Sequence, residues 1–367
     1  MSRLIERKRP LLIAGVAIAA VTAAVAVAVD APRDGAPSAE TEKRSTQPIM
    51  RAVFADERLW LLHDDGMLAS LHPDEAKSER VVTGGRVREI CKSEGSLFAV
   101  LDDRRNRWTV QQRVSDRWIA RASVPAEGDT LAAIDCTRHD AGVTLVTNRR
   151  VLEIDDDKVR SVRLKPTIDT PLANGTALTT GNAVWVGFNV GEWGGGLRRI
   201  TRTDGKVEVI EQNRSGDLCG GPLNTACDPV NGIVTAPWNS SCVVAAIGLV
   251  HMMSHGRIVE VCGHRVRRLY FKAFDPQPPN NPLDEGEPAS TIAFFGLARS
   301  GNTLWAVGID GLYRFNGMTP AQFRPLPKFE NKGGYWVSFD VPGIALVLTD
   351  VNQRLSMSGS VPIMAVR

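Results

Sequence analysis

Seven short apolar runs recur along this chain after residue 48, and their recurrence limits the fold more than any other feature. They are LWLL at 59, LFAV at 97, VTLV at 143, VWVG at 184, CVVA at 242, LWAV at 304 and ALVL at 345. The intervals between them are 38, 46, 41, 58, 62 and 41 residues. Between the runs lie clusters of Gly, Asp and Asn, and no apolar stretch in this region keeps helical spacing. Short apolar runs bounded by turn residues are the pattern of many short strands. The clearest unit is TIAFFGLARSGNTLWAVGIDGLYRFNG (291–317), which reads as three strands with turns at Arg299 to Asn302, Ile309 to Gly311 and Asn316-Gly317, followed by a fourth strand before Pro325. A period of roughly 40 to 50 residues is that of a four-stranded propeller blade. One such sheet cannot bury both faces alone, but seven around an axis can.

The expected fold is therefore all-β, a seven-bladed β-propeller over residues 49–367. Six or eight blades remain open, because Thr46 to Ala55 can begin the first blade or complete the last.

One motif adds a resemblance. Leu304-Trp305-Ala306-Val307-Gly308-Ile309-Asp310-Gly311-Leu312-Tyr313-Arg314-Phe315 resembles the repeat of two-component-regulator (ligand-binding sensor) β-propellers. Partial matches lie at Trp60 to Leu68 and Trp185 to Ile200. In that family the propellers precede a transmembrane helix and an output module, and no such module follows in the sequence through Arg367. The resemblance implies a sensor-type propeller rather than direct signalling.

Residues 1–30 read as a targeting segment. A basic flank carrying Arg3, Arg7, Lys8 and Arg9 precedes Leu11 to Val29, which has no charge. As a helix this run would extend about 28 Å, close to the roughly 30 Å core of a bilayer. Its length favours a signal anchor, while Ala26-Val27-Ala28 offers a signal-peptidase site. Either version exports the chain beyond Asp30 to the periplasm or cell envelope, tethered to the membrane or secreted. Residues 31–48, rich in Ala, Pro, Ser, Glu and Thr, read as a polar linker. After residue 29 the chain carries 40 basic and 40 acidic residues. That balance gives no electrostatic case for a nucleic-acid partner.

Six cysteines, Cys91, Cys136, Cys219, Cys227, Cys242 and Cys262, form an even set, and in an exported protein disulfides are the expected state. Cys91 and Cys136 precede their blade anchors by nearly equal distances, so a bridge between adjacent blades near the axis is expected. The pairing of the other four stays open. None forms Cys-x-x-Cys, so zinc-ribbon chemistry has no support. His251 and His255 are expected to flank a turn at Ser254 to Gly256, which argues against a shared metal.

Propeller strands alternate in direction. Turns from second to third strands and connections between blades therefore share one face, and three insertions fall there: Phe188 to Gly196, Asn213 to Asn231 and Asp275 to Ser290. Long loops in a compact domain concentrate function. The first places Asn189, Glu192 and Trp193 among four glycines. Two readings are open: Trp193 folds back over the blade with Glu192 solvated, or the indole and carboxylate meet a sugar or cation. Trp238 and Asn239 come after the second insertion as weaker binding candidates. The third holds Asp284, Glu285 and Glu287, read as a solvated acidic loop, with cation binding as the alternative that keeps it among the weaker binding candidates.

No nucleophile elbow, His-Glu-x-x-His, Walker loop or EF-hand pattern occurs. The expected function is non-catalytic binding of a small molecule or an envelope protein, with no catalytic residue, metal or cofactor assigned. Two alternatives stand beside it. One is a lactone or sugar hydrolase, or a quinoprotein-like dehydrogenase, around a central Ca²⁺, which needs several oxygens converging on the axis. The other is a structural scaffold of an envelope assembly.

Overall fold

The computed structural model describes residues 49–367 apart from 104, 137–141, 156–157, 170–174, 214–218, 252, 275–289, 328–334 and 350–361. The expected signal segment, its helix and the linker lie outside the described residues. Among the described residues no helix is long and apolar enough to cross a membrane.

Seven antiparallel sheets follow one another along the chain, each paired in sequence order. They occupy residues 49–81, 86–125, 131–163, 176–210, 230–270, 294–325 and 335–366, numbered here as blades 1 to 7. Six have four strands. Blade 7 has three among the described residues, Tyr335–Ser338, Ile344–Thr349 and Pro362–Val366. Blade 6 reproduces the expected unit: Phe294–Ser300, Thr303–Gly308, Gly311–Asn316 and Thr319–Pro325. Ile49–Ala55 pairs with Arg58–His63 of its own blade, so this segment opens the first blade.

Each of the seven apolar runs lies on the second strand of its blade. That strand is covered by a neighbouring blade on both faces, so it is apolar at consecutive positions rather than alternate ones. In Val143–Thr147 every residue is buried. Leu145 packs with Val110 and Leu152 on the blade 2 side, while Val146 packs with Val184 and Ile200 on the blade 4 side. Seven such clusters fill the seven gaps between blades. The last joins Ala52 of blade 1 to Leu346 and Leu348 of blade 7, which closes the ring by packing.

Polar ties cross the gaps as well. Asp135 of blade 3 accepts from the Thr179 amide of blade 4 at 2.6 Å. At the axis, Arg51 of blade 1 donates to Glu89 Oε1 of blade 2 at 2.8 Å and to Gly175 O, just ahead of blade 4, at 3.1 Å. Its guanidinium also lies 5.6 Å from the Trp336 ring centroid.

Candidate binding cleft between blades 4 and 5

The first insertion is a tight turn. Ala183–Asn189 and Gly195–Thr201 of blade 4 are joined through a 3₁₀ turn, Gly191–Trp193. Asn189 holds it: its Oδ1 accepts from the Gly191 amide at 2.9 Å, and its Nδ2 donates to Asn231 Oδ1 at 2.6 Å. Asn231 donates in turn to Gly248 O at 2.8 Å and Phe294 O at 2.9 Å. Asn189 thus positions the turn and ties blades 4, 5 and 6 together.

The glycines of this stretch allow close approach, as their sequence suggests, and what they approach is the second insertion. A Cβ on Gly194, at φ +69°, would lie 2.4 Å from Thr225 O. One on Gly196, at φ +69°, would lie 2.9 Å from Thr225 Cα. Without side chains these residues let the Gly195 amide donate to Thr225 O at 3.0 Å and the Gly196 amide to Asp228 O at 2.9 Å.

The second insertion is pinned by a Cys219–Cys227 disulfide and by Asp228. Asp228 is fully buried. It accepts from the Asn224 amide at 2.6 Å and from Arg257 Nη2 at 2.5 Å, and it lies 3.2 Å from His255 Nε2. Arg257 also donates to Pro222 O at 2.7 Å. Residues 219–228 are thereby held against blade 5.

Blade 5 corrects one expectation. Its middle strands, Asn239–His251 and Met253–Cys262, pair continuously from Cys242↔Cys262 to His251↔Met253, so Ser254 to Gly256 form strand, and the chain reverses between His251 and Met253. Gly256 serves packing: a Cβ there would meet Ile247 O at 2.5 Å and Ala293 Cα at 2.6 Å. His251 and His255 lie on opposite strands, and each faces a carboxylate of its own. His251 Nδ1 lies 2.9 Å from Glu192 Oε2, and His255 faces Asp228.

This long hairpin stands across from the 3₁₀ turn, and the two enclose an open cleft of about 330 Å³. Its walls are Val190, Leu249, Val250 and Phe295, and the Glu192–His251 pair spans its rim. Trp193 does not fold back over the blade. Its residue surface is 74% exposed, and it stands at the cleft edge. Through Asn189 and Phe295 the cleft adjoins a smaller axial cavity of about 170 Å³, which Arg51, Asn231 and Trp336 help to line.

Trp238 and Asn239 do not join this site. They form the turn from the first to the second strand of blade 5, which leaves on the opposite face. Trp238 Nε1 donates to Glu260, whose other oxygen accepts from Arg267. Asn239 Oδ1 accepts from the Ser241 amide at 3.1 Å and its hydroxyl at 2.8 Å. The acidic loop with Asp284, Glu285 and Glu287 lies outside the described residues.

The remaining disulfides are Cys91–Cys136, bridging blades 2 and 3 as expected, and Cys242–Cys262, across the blade 5 hairpin. Among the described residues, Cys242, Glu260 and Cys262 form the one cluster with metal-ligand geometry, and its sulfurs are bonded to each other. At the axis stands Arg51, paired with Glu89, where a central Ca²⁺ requires converging oxygens.

Sequence reading weighed His251 only as a metal ligand, and it missed Leu249, Val250, Asn231 and Phe295. One signal was present: the apolar run Cys242 to Val250 is about twice as long as the other anchors, which marks an extended hairpin.

No protein-family model and no curated protein matches the sequence. Solved structures do match in fold. The extracellular domain of a hybrid two-component system from B. thetaiotaomicron aligns with a TM-score of 0.52 at 16% identity, over 86% of this chain and 38% of that one. The extracellular domain of a one-component system from the same organism aligns with a TM-score of 0.51, at the same identity and coverage. The chain thus spans well under half the length of these neighbours. At that identity the likeness is one of fold.

Proposed function

We propose that this protein is an exported propeller, tethered by residues 11–29, that binds a small molecule or an envelope protein in the cleft between blades 4 and 5 without chemical conversion. Trp193 carries the reading. A large indole held in solvent contributes nothing to the core, yet it sits beside a recess walled by Val190, Leu249, Val250 and Phe295. Aromatic anchors next to preformed recesses are where binding energy concentrates. Glu192 and His251 add a polar rim that orients whatever enters. Export is supported by the basic flank, the uncharged run behind it and the three disulfides, which persist in oxidising compartments.

The test is a fluorescence screen of sugars, amines and short peptides against the wild-type chain and Trp193→Ala in parallel. A ligand that binds the first and not the second, with the melting temperature unchanged, supports the site. Equal binding to both removes it. Cell fractionation tests the tether: recovery in washed membranes supports the anchor, and recovery in the soluble envelope fraction supports cleavage near Ala26-Val27-Ala28.

A further inference from the structure

The axial cavity beside the cleft has an unbalanced set of hydrogen-bonding groups. Among the described residues that line it, Arg51 is the one that carries charge, with Thr176, Asn189, Asn231 and Trp336 as polar and aromatic neighbours. Arg51 Nε and Nη2 donate to Glu89 at 2.8 and 3.3 Å, and Nη2 also donates to Gly175 O at 3.1 Å. Its third nitrogen, Nη1, bears two N–H groups and makes no hydrogen bond among the described residues. A guanidinium is planar, so the Glu89 fork and the Trp336 ring 5.6 Å away fix where Nη1 lies. Glu89 itself does not line the cavity.

The two asparagines leave a further donor. Asn231 spends both Nδ2 hydrogens, on Gly248 O and Phe294 O, so its Oδ1 is an acceptor and Asn189 presents its amide nitrogen to it. Asn189 Oδ1 accepts from the Gly191 amide, which leaves the second Nδ2 hydrogen of Asn189 unspent. The Thr176 hydroxyl, also in the lining, makes no hydrogen bond among the described residues. Spare donors around a cation, with no carboxylate in the lining to meet them, suit an anionic acceptor. Glu89 already draws on the charge of Arg51, so the place fits a singly charged carboxylate and not a dianion. The apolar walls of the cleft, Val190, Leu249 and Val250, lie next door across Asn189 and Phe295.

We propose that the ligand is a monocarboxylate with an apolar body, its carboxylate seated on Arg51 Nη1, Asn189 Nδ2 and Thr176 Oγ1 in the axial cavity and its body extending into the cleft. The carboxylate half stands on the axial cavity alone, and the apolar half rests on the cleft reading given above. A free organic acid and the C-terminus of a peptide share this chemistry.

Calorimetric titration of the detergent-solubilised full chain tests it with two matched pairs: phenylacetate against phenylacetamide, and an acetylated Leu-Phe dipeptide with a free against an amidated C-terminus. In at least one pair the acid binds more than about tenfold tighter than its amide, the ordinary value of a hydrogen bond to a charged group. The pair that shows the preference identifies the source. Glu89→Gln widens the preference, because Arg51 then has no competing carboxylate, and such a gain does not come from misfolding. Replacing Arg51 and Glu89 together with glutamine leaves no orphaned charge and abolishes the preference. Trp193→Ala weakens acid and amide by the same factor, so the preference reads the axial cavity and the common affinity reads the cleft. Equal binding of acid and amide in both pairs, with both still weakened by Trp193→Ala, overturns this proposal and leaves the cleft in place. A preference that survives the double variant, displacement of the acid by inorganic phosphate, or no binding by any of the four probes overturns it as well.

Discussion

Glu192 and His251 meet 2.9 Å apart across the gap between blades 4 and 5, and that contact fixes the mouth of the cleft. One comes from a three-residue turn and the other from the tip of a hairpin longer than those of the other blades. Both side chains are about half exposed, so the pair stabilises the fold by under about 1 kcal/mol. Its effect falls on geometry. Glu192→Gln and His251→Ala should each weaken ligand binding several-fold while leaving the melting temperature within about 1 °C, as calorimetry can check. A large drop in stability from either would reassign the pair to the core.

Gly194→Ala should damage the site without touching its lining. The added methyl carbon meets Thr225 O, and the backbone there is left-handed. Strain of this kind costs about 1–3 kcal/mol. Denaturant unfolding should show that loss, and ligand affinity should fall with it because the second insertion moves off blade 4. Gly301→Ala is the control: it shares a positive φ but faces open space, and should lose less.

Replacing Cys219 and Cys227 with serine opens a short loop that places Thr225, Asn224 and Asp228. Loop-closure entropy for that span corresponds to about 2–3 kcal/mol. The double variant should melt lower by that measure and show faster amide exchange at Gly195 and Gly196, whose acceptors sit on the released segment. Unchanged exchange would mean that Asp228 and Arg257 hold the insertion unaided.

Arg51→Ala should destabilise the ring by about 2 kcal/mol, since it leaves Glu89 half-buried without its bidentate partner and removes the bond to Gly175 O. Arg51→Lys should recover part of this. Equilibrium unfolding of the three proteins measures it, and no loss in the alanine variant would show that the axis tolerates an empty centre.

Stability should vary with pH through Asp340, in the connection that leaves the inner strand of blade 7. Burial pushes its carboxyl above the ordinary range, against opposing contributions from Ser338, Lys92 and Arg367. The folded state therefore holds this proton more tightly than the unfolded chain does. Its contribution is full below the ordinary carboxylate range and is lost as pH rises through the raised value. Asp340→Asn, which keeps an acceptor for Ser338, should melt above the wild type at pH 8, with the gap closing toward pH 4. A gap independent of pH would contradict the assignment.

The second strands were legible because burial on both faces forces consecutive apolar residues, a local signature that seven blades repeat. Turn positions in blade 6 were legible for the same reason, since Gly301, Gly311 and Gly317 bound strands of ordinary length. Gly256 misled because glycine serves tight packing as well as turns, and only the neighbouring Ala293 distinguishes the two. Trp238 misled because position along the chain says little about which end of a blade a turn leaves from until every strand is counted.

By itself the sequence determined the repeat, the all-β class and the even cysteine set, all of which arise from composition and spacing within a blade. Tertiary structure alone decided that Glu192 reaches His251, that Asn189 reaches Asn231, and that the glycines beside Trp193 press against Thr225. Those contacts join segments from different blades, and the distance between blades is set by closing the ring, which no local stretch of sequence encodes.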